Sequence, residues 1–241
     1  MDLGVYVSTQ DEEVFIEACL KNIVKVFPQV EVIDLGSQDK TVEIVRSLGV
    51  PVNEHILTPP SSKYAFDGPA QQWTQLKNVY ANKHEWILIL DGDEIFDEEN
   101  LFKLKAKVFD RDTNTKKHNI PIREYTAYHI GWRMCRIVDE QKQISEMIPS
   151  GTKLYKSANY YFDRGWPTEV LKRNPAIDNP RSRAKDIKEE CDIWCWHAVL
   201  LQRSSLPERT ARKKKRDDRQ KYYDEKLSWE NVEQWPWLKG A

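Results

Sequence analysis

Five apolar residues, Trp86-Ile87-Leu88-Ile89-Leu90, run directly into Asp91-Gly92-Asp93-Glu94. In extended backbone, residues two apart point to the same side, so Asp91 and Asp93 are expected to converge. Gly92 between them lets the backbone bend and a ligand approach. A hard divalent cation takes carboxylate oxygens together with substrate phosphate oxygens. Such an arrangement suits neutralisation of a diphosphate leaving group, the task that a glycosyl or phosphoryl transfer sets. The plain alternative is a solvated acidic turn behind a core strand. A lone D-x-D decides little; its place at the end of a buried strand weighs toward a ligand.

A second segment has the same form. Val32-Ile33 leads into Asp34-Leu35-Gly36-Ser37-Gln38-Asp39-Lys40-Thr41. A carboxylate closes a strand, a Gly-Ser turn follows, and a helix begins. Ligands of open α/β sheets bind beyond the carboxyl ends of the strands, where Asp34 can accept hydrogen bonds from a base or ribose. Ser37 and Asp39 can instead cap the next helix, and for Ser37 position alone favours the cap. Cys191, Cys195 and His197 hint at zinc, but no second half of a zinc motif stands nearby.

These residues need a scaffold. Strand-like runs at Leu3–Ser8, Val30–Leu35, Pro51–Leu57 and Glu85–Leu90 alternate with helix-like runs at Glu12–Phe27, Gln38–Leu48 and Gln71–Asn82. In the first helix Val14, Ile16, Leu20, Ile23, Val24 and Phe27 come close to helical spacing. Short connections between alternating elements imply right-handed crossovers and a mainly parallel sheet. Beyond Asn119 the pattern changes. Ile120–Val138 and Thr152–Phe162 suggest strands, Asp110–Asn119 a loop, and Arg173–Glu190, with Pro175 and Pro180, a long exposed loop. From Ser205 a helical basic tail begins. Between Arg209 and Lys221 the net charge is +6, and Trp229, Trp235 and Trp237 follow. The expected domains are 1–203 and an extension, 204–241.

At 241 residues and 28.4 kDa the chain is long enough for a real core. Lys+Arg number 37 against 38 Asp+Glu, so the whole chain favours neither an acidic nor a basic partner. Four cysteines are too few for a disulfide framework. No apolar run approaches the roughly 18 residues of a membrane span, and the amino terminus lacks a signal-peptide pattern, so a cytoplasmic protein is expected.

In order as well as in motifs the chain resembles the family 2 glycosyltransferases of the GT-A fold. Asp11-Glu12-Glu13 with Cys19-Leu20 is similar to the family's opening N-E-E and C-L helix, with Asp for Asn. Val32–Val45 is similar to its D-x-G-S-x-D-x-T-x-E-I segment, and Asp91–Glu94 to its D-A-D-E signature. Gly151–Tyr155, Tyr161-Phe162, Gly165 and Glu169 resemble its R-L-F and G-x-x-H-E segment, with Thr168 where His is common. Trp196-His197 resembles a later metal-binding His position. The likeness covers residues 3–200, best over the first hundred.

The resemblance implies a mostly parallel, Rossmann-like α/β sheet flanked by helices, with residues 1–100 binding a nucleotide sugar and 101–203 an acceptor. It implies that Thr9, Glu12, Asp34, Asp39, Asp91 and Gly92 line the donor site, with Asp34 on the uracil or ribose. Lys77, in Gln75-Leu76-Lys77-Asn78, is a further donor contact. Asp93, with Asp91 and His197, would hold Mn²⁺ or Mg²⁺. Glu169 would be the general base, with Asp163 the fallback, and Trp166 would line the acceptor pocket. The donor is expected to be a UDP-sugar, and the acceptor a saccharide, lipid, protein or hydroxymethylated DNA base. A nucleotidyltransferase expects a Gly-rich phosphate loop after the first strand, and Ser8–Glu13 contains no glycine. The reading from a different class is a nucleic-acid-binding module that uses the basic tail without transferase activity.

Overall fold

The computed structural model describes residues 2–58, 69–109, 127–156, 160–163, 170–173, 189–207, 210–235 and 237. Four strands come first: β1 (Leu3–Thr9), β2 (Val30–Asp34), β3 (Val52–Glu54) and β4 (Trp86–Asp91). Helices α1 (Ile16–Val26), α2 (Thr41–Ser47) and α3 (Pro69–Ala81) connect them. The strands lie in the order β3-β2-β1-β4, all parallel. The expected parallel α/β sheet is therefore present in this half.

Strand period explains the two layers. Val5, Val7, Leu88 and Leu90 pack with Ile16, Cys19, Leu20 and Ile23 of α1 on one face. Their neighbours in sequence, Tyr6, Ile87 and Ile89, pack with Trp73 and Tyr80 of α3 on the other. A strand covered on both faces reads as a continuous apolar run, as β4 does.

Two helix starts differ from expectation. α1 begins at Ile16, because the chain first makes a turn in which Phe15 and Ile16 both donate their N–H to Glu12 O. Val14 thus precedes the helix and is exposed, and Val24 falls outside the stripe of Ile16, Cys19, Leu20, Ile23 and Val26. α2 begins at Thr41 rather than Gln38, since residues 35–40 are tied to the β1–α1 loop.

The second half contains elements the sequence pattern concealed. A short β5 (Glu94–Ile95) precedes α4 (Glu98–Phe109), whose first turn is capped by Asp97 through Asn100 N–H at 2.7 Å. A long hairpin follows, β6 (Ala127–Val138) and β7 (Gln141–Lys156), turning at Asp139 and Glu140, both with positive φ. β8 (Tyr160–Asp163) and β9 (Val170–Arg173) form a separate hairpin. β10 (Glu189–His197) runs parallel to β6 and antiparallel to β5. β7 is antiparallel to β4 and joins the two halves into one sheet. The expected strand at Thr152–Phe162 is two strands. Asp110–Asn119 and most of the expected loop at Arg173–Glu190 lie outside the described residues.

The tail forms the basic helix α5 (Thr210–Asp224) and β11 (Trp229–Val232), which pairs with β7. Trp235 is buried and stacks on Trp237, whose edge meets Phe15. The segment after residue 204 therefore shares the core.

Leu88 is fully buried in the central strand. Leu88→Ala is expected to lower unfolding free energy by about 2–5 kcal/mol in urea titration, from lost transfer energy and a residual cavity.

Candidate active site

Register places the carboxyl ends of the strands side by side. Thr9 pairs with Asp34 across β1 and β2, and Ser8 with Asp91 across β1 and β4. The chain runs outward from β1 to β3 and then returns to β4 on the other side of β1. The crevice at such a reversal is where open α/β sheets take ligands. Ser8, Thr9 and the Asp91–Glu94 bend border that reversal.

The bend is built around Gly92. Its N–H donates to Ser8 O at 2.8 Å. A Cβ there would lie 3.0 Å from Thr9 Oγ1 and 3.3 Å from Glu12 Cγ, so those side chains would have to give by a few tenths of an ångström. β4 ends at Asp91, and Gly92-Asp93 is a turn. The expected convergence of Asp91 and Asp93 as alternate strand residues is therefore corrected: the turn gives each carboxylate its own partners.

Asp91 is half exposed, accepts from Ser8 Oγ at 2.8 Å and lies 3.4 Å from Lys153 Nζ. Glu94 is fully buried; it accepts from Trp132 Nε1 at 2.8 Å and Asp91 N–H at 3.0 Å, and its Oε1 is 3.0 Å from Lys153 Nζ. Asp93 is buried between an imidazole and a guanidinium: Oδ1 is 3.5 Å from His197 Nε2, and Oδ2 is 3.3 Å from Arg203 Nη2. Arg203 also bonds Glu12, buried on the β1–α1 loop. Lys153 comes from β7, His197 from the end of β10, and Arg203 from the loop beyond it.

Electrostatics follows from this geometry. Burial pushes the Asp93 carboxyl upward, but Arg203 and then His197 outweigh it and hold the group well below the usual carboxylate range. Burial likewise opposes the charge on Asp91, which Lys153 restores, so its pKa is lowered. For Glu94 burial wins over Lys153, and its pKa is raised. Burial disfavours the charges of Lys153 and Arg203, yet the carboxylates beside them raise both pKa values.

The remaining expected donor residues take definite places. Both oxygens of Asp34 serve the turn after β2: Oδ2 accepts from Gly36 and Ser37 N–H at 3.0 Å each, and Oδ1 from Ser37 Oγ. Gly36 has φ 87°, a conformation suited to glycine. Ser37 does not cap α2; its Oγ accepts from Asp11 N–H at 2.9 Å. Asp39 is the group that meets the helix start, accepting from Thr41 N–H at 2.9 Å. Thr9 is buried, and its hydroxyl has no hydrogen-bond partner among the described residues. Lys77 is buried on α3, 4.8 Å above the Trp73 ring, and close enough to Asp91 to lower its pKa. His197 packs on the Trp132 ring at 4.5 Å. Asp163 ends β8, and Trp166 and Glu169 lie outside the described residues.

Arg203 and Ser8 carry no local sequence signal for this site, while Lys153 stands in the segment that resembles R-L-F. Among the described residues no group of three or more His, Cys, Asp or Glu side chains is gathered for a metal. The donor chemistry is nevertheless compatible with a cation: Asp91 is half exposed, an imidazole stands at Asp93 Oδ1, and Oδ2, 3.3 Å from Arg203, accepts no hydrogen bond among the described residues.

An open α/β sheet with an acidic, cation-braced bend at its reversal point is the class that fold and site define. No protein-family model matches the chain, and no curated protein matches it. Among solved structures, S. aureus TarS 1-349 is similar at 19% identity and a TM-score of 0.41, over 68% of this chain and 50% of that one. Glucosyl-3-phosphoglycerate synthase from Mycobacterium tuberculosis, in complex with Mn²⁺, UDP and glucosyl-3-phosphoglycerate, is similar at 15% identity and a TM-score of 0.39. That match covers 54% of this chain and 44% of the synthase. The chain thus spans half or less of these matched proteins, and likeness this loose carries no functional conclusion. Among the described residues no helix is long and apolar enough to cross a membrane.

Removing Lys153 leaves Asp91 and the buried Glu94 without their cation. Lys153→Met is expected to cost about 3–5 kcal/mol at pH 8. Glu94 already has a raised pKa, and losing Lys153 raises it further. A group of that kind contributes stability below its unfolded pKa and loses it as pH rises through the folded value. The deficit of the variant should therefore shrink as pH falls from 8 to 5, as urea midpoints across pH would measure.

Proposed function

We propose that the protein is a metal-dependent, inverting GT-A glycosyltransferase of the family 2 type. It transfers a sugar from a nucleotide-diphosphate donor, a UDP-sugar, to an acceptor hydroxyl. The observation that carries this reading is the acidic bend beside the sheet's reversal point, where His197 and Arg203 meet Asp93 and Lys153 meets Asp91. Distant segments of the chain, residues 91–94, 153 and 197–203, thus share one acidic bend where an α/β sheet takes nucleotides.

Asp93, Asp91 and His197 would hold Mn²⁺ or Mg²⁺, which when bound supplies positive charge to the diphosphate leaving group. Thr9 and Gly92 form a close-packed wall beneath the donor, with the Thr9 hydroxyl free to bond it. Asp34 retains lone-pair capacity beyond its turn contacts and can accept from the uracil or ribose. Glu12 and Asp39 act through the loops they fix, Glu12 by anchoring Arg203 and Asp39 by starting α2. Lys77 lends positive charge near Asp91. Lys153 keeps Asp91 ionised, and Trp132 supports the His197 ring.

Glu169 is proposed to remove the acceptor proton as the oxygen attacks the anomeric carbon opposite the diphosphate. Asp163 is the alternative base, and Trp166 the acceptor-side aromatic. Residues 1–100 form the donor half and 101–203 the acceptor half, with Lys153 and His197 reaching back across the sheet.

The test is nucleotide release from a panel of UDP-, dTDP- and GDP-sugars with Mn²⁺. Release with a UDP-sugar is expected, and Asp93→Ala should abolish metal-dependent donor binding. Glu169→Gln should keep donor affinity and lose about 10²–10⁴-fold in transfer; unchanged turnover rejects Glu169 as base. No release from any donor, together with tight duplex binding, would favour the nucleic-acid-binding reading. The exposed Lys213, Lys214 and Lys221 of α5 would then be the contact.

A further inference from the structure

Arg203 has an unusual position for a loop arginine. Three-quarters of its side chain is covered, and its guanidinium lies between two buried carboxylates, Glu12 and Asp93. Its backbone is pinned as well, since Val14 N–H donates to Arg203 O at 3.0 Å. Two residues on, Ser205 N–H donates to Glu13. The loop after β10 is thereby laced to the β1–α1 loop at Arg203 and two residues beyond it.

The charges divide into two sets. Lys153 serves Asp91 and Glu94, while Arg203 serves Glu12 and Asp93. His197 approaches Asp93 from the other oxygen. A divalent cation on Asp93 would therefore meet the guanidinium 3.3 Å from the same carboxylate. Like charges that close in a buried site repel strongly.

We propose that Arg203 and the divalent cation are alternative partners of Asp93, so that Arg203 sets the cation affinity of the site. Cation entry turns the guanidinium away from Asp93 Oδ2 while Glu12 retains it. That swing frees guanidinium N–H groups toward the crevice. The inference rests on the reading that Asp93 binds a cation, and it assigns Arg203 a role opposed to that binding.

The test is Mn²⁺ titration of the full chain without donor, following the free-Mn²⁺ electron paramagnetic resonance signal. Arg203→Met is expected to bind Mn²⁺ more tightly than wild type, by about 5- to 150-fold, the usual span of coupling between two sites. Arg203→Lys, with one point charge on a shorter reach, should fall between them and carries the test if Arg203→Met does not fold. In chelator Arg203→Met should melt below wild type, and Mn²⁺ should raise its midpoint more than that of wild type. An arginine that merely braces the loop would lower the midpoint without tightening Mn²⁺, and that result overturns the proposal while leaving the cation reading intact. If neither wild type nor variant binds Mn²⁺, or Asp93→Asn binds it as well as wild type, the cation reading fails and the proposal with it.

Discussion

The site depends on keeping carboxylates charged where water is largely excluded. Asp93 and Glu94 are almost wholly buried, and Glu12 lies beside them. Isolated charges in such surroundings neutralise or destabilise the fold. Lys153 and Arg203 prevent this for different members of the group, and the pKa directions record it. Asp93, with Arg203 and His197 against it, is held low; Glu94, more buried than Lys153 can offset, is pushed up. The same bend thus holds two carboxyls shifted in opposite directions, separated by one peptide bond.

That division has structural consequences. Lys153 lies on β7, which joins the parallel half of the sheet to the antiparallel half. Arg203 lies on the loop laced to the start of α1. Each cation therefore ties a segment of the second half onto the first while it balances charge. Ala198 N–H adds a backbone bond to Asp93 O at 2.9 Å, so the polypeptide after β10 follows the acidic bend closely. Buried ion pairs are weak evidence for net stability, yet losing one partner is costly. Their value here is register: they specify which loop covers the bend.

Half of this was legible in the sequence. β1, β2 and β4 are apolar runs that stop at Thr9, Asp34 and Asp91, and an abrupt change from apolar to acidic marks both a strand end and a site. The second half hid its strands, because β7 is an antiparallel strand interrupted by polar residues such as Gln141, Gln143 and Glu146. α4 was missed since Leu101 and Leu104 are buried while Phe102 between them is exposed, which blurs its period. Arg203 had no local mark at all, and Lys153 was marked only by its place in the segment resembling R-L-F, which says nothing of its partners. They stand 191 residues from Glu12 and 62 from Asp91, and each looks like any of the chain's 37 basic residues until the fold buries it.

The basic tail makes the complementary point. A run of Lys and Arg with net charge +6 reads as a solvated or nucleic-acid-facing helix. Lys213, Lys214 and Lys221 are indeed exposed, and Lys214 pairs with Asp218 four residues on. Yet the far end of α5 is anchored: Asp224 bonds Arg136, and the Arg136 guanidinium lies 3.7 Å from the centre of the Trp229 ring. Tyr223, Leu227 and Trp229 close over Met134, Val199 and Leu200. Met134 pairs with His197 across β6 and β10, and Leu200 is three residues before Arg203. The tail therefore packs against the segment between His197 and Arg203, the two residues that flank Asp93. Its aromatic residues hold that segment, while Lys213, Lys214 and Lys221 are exposed.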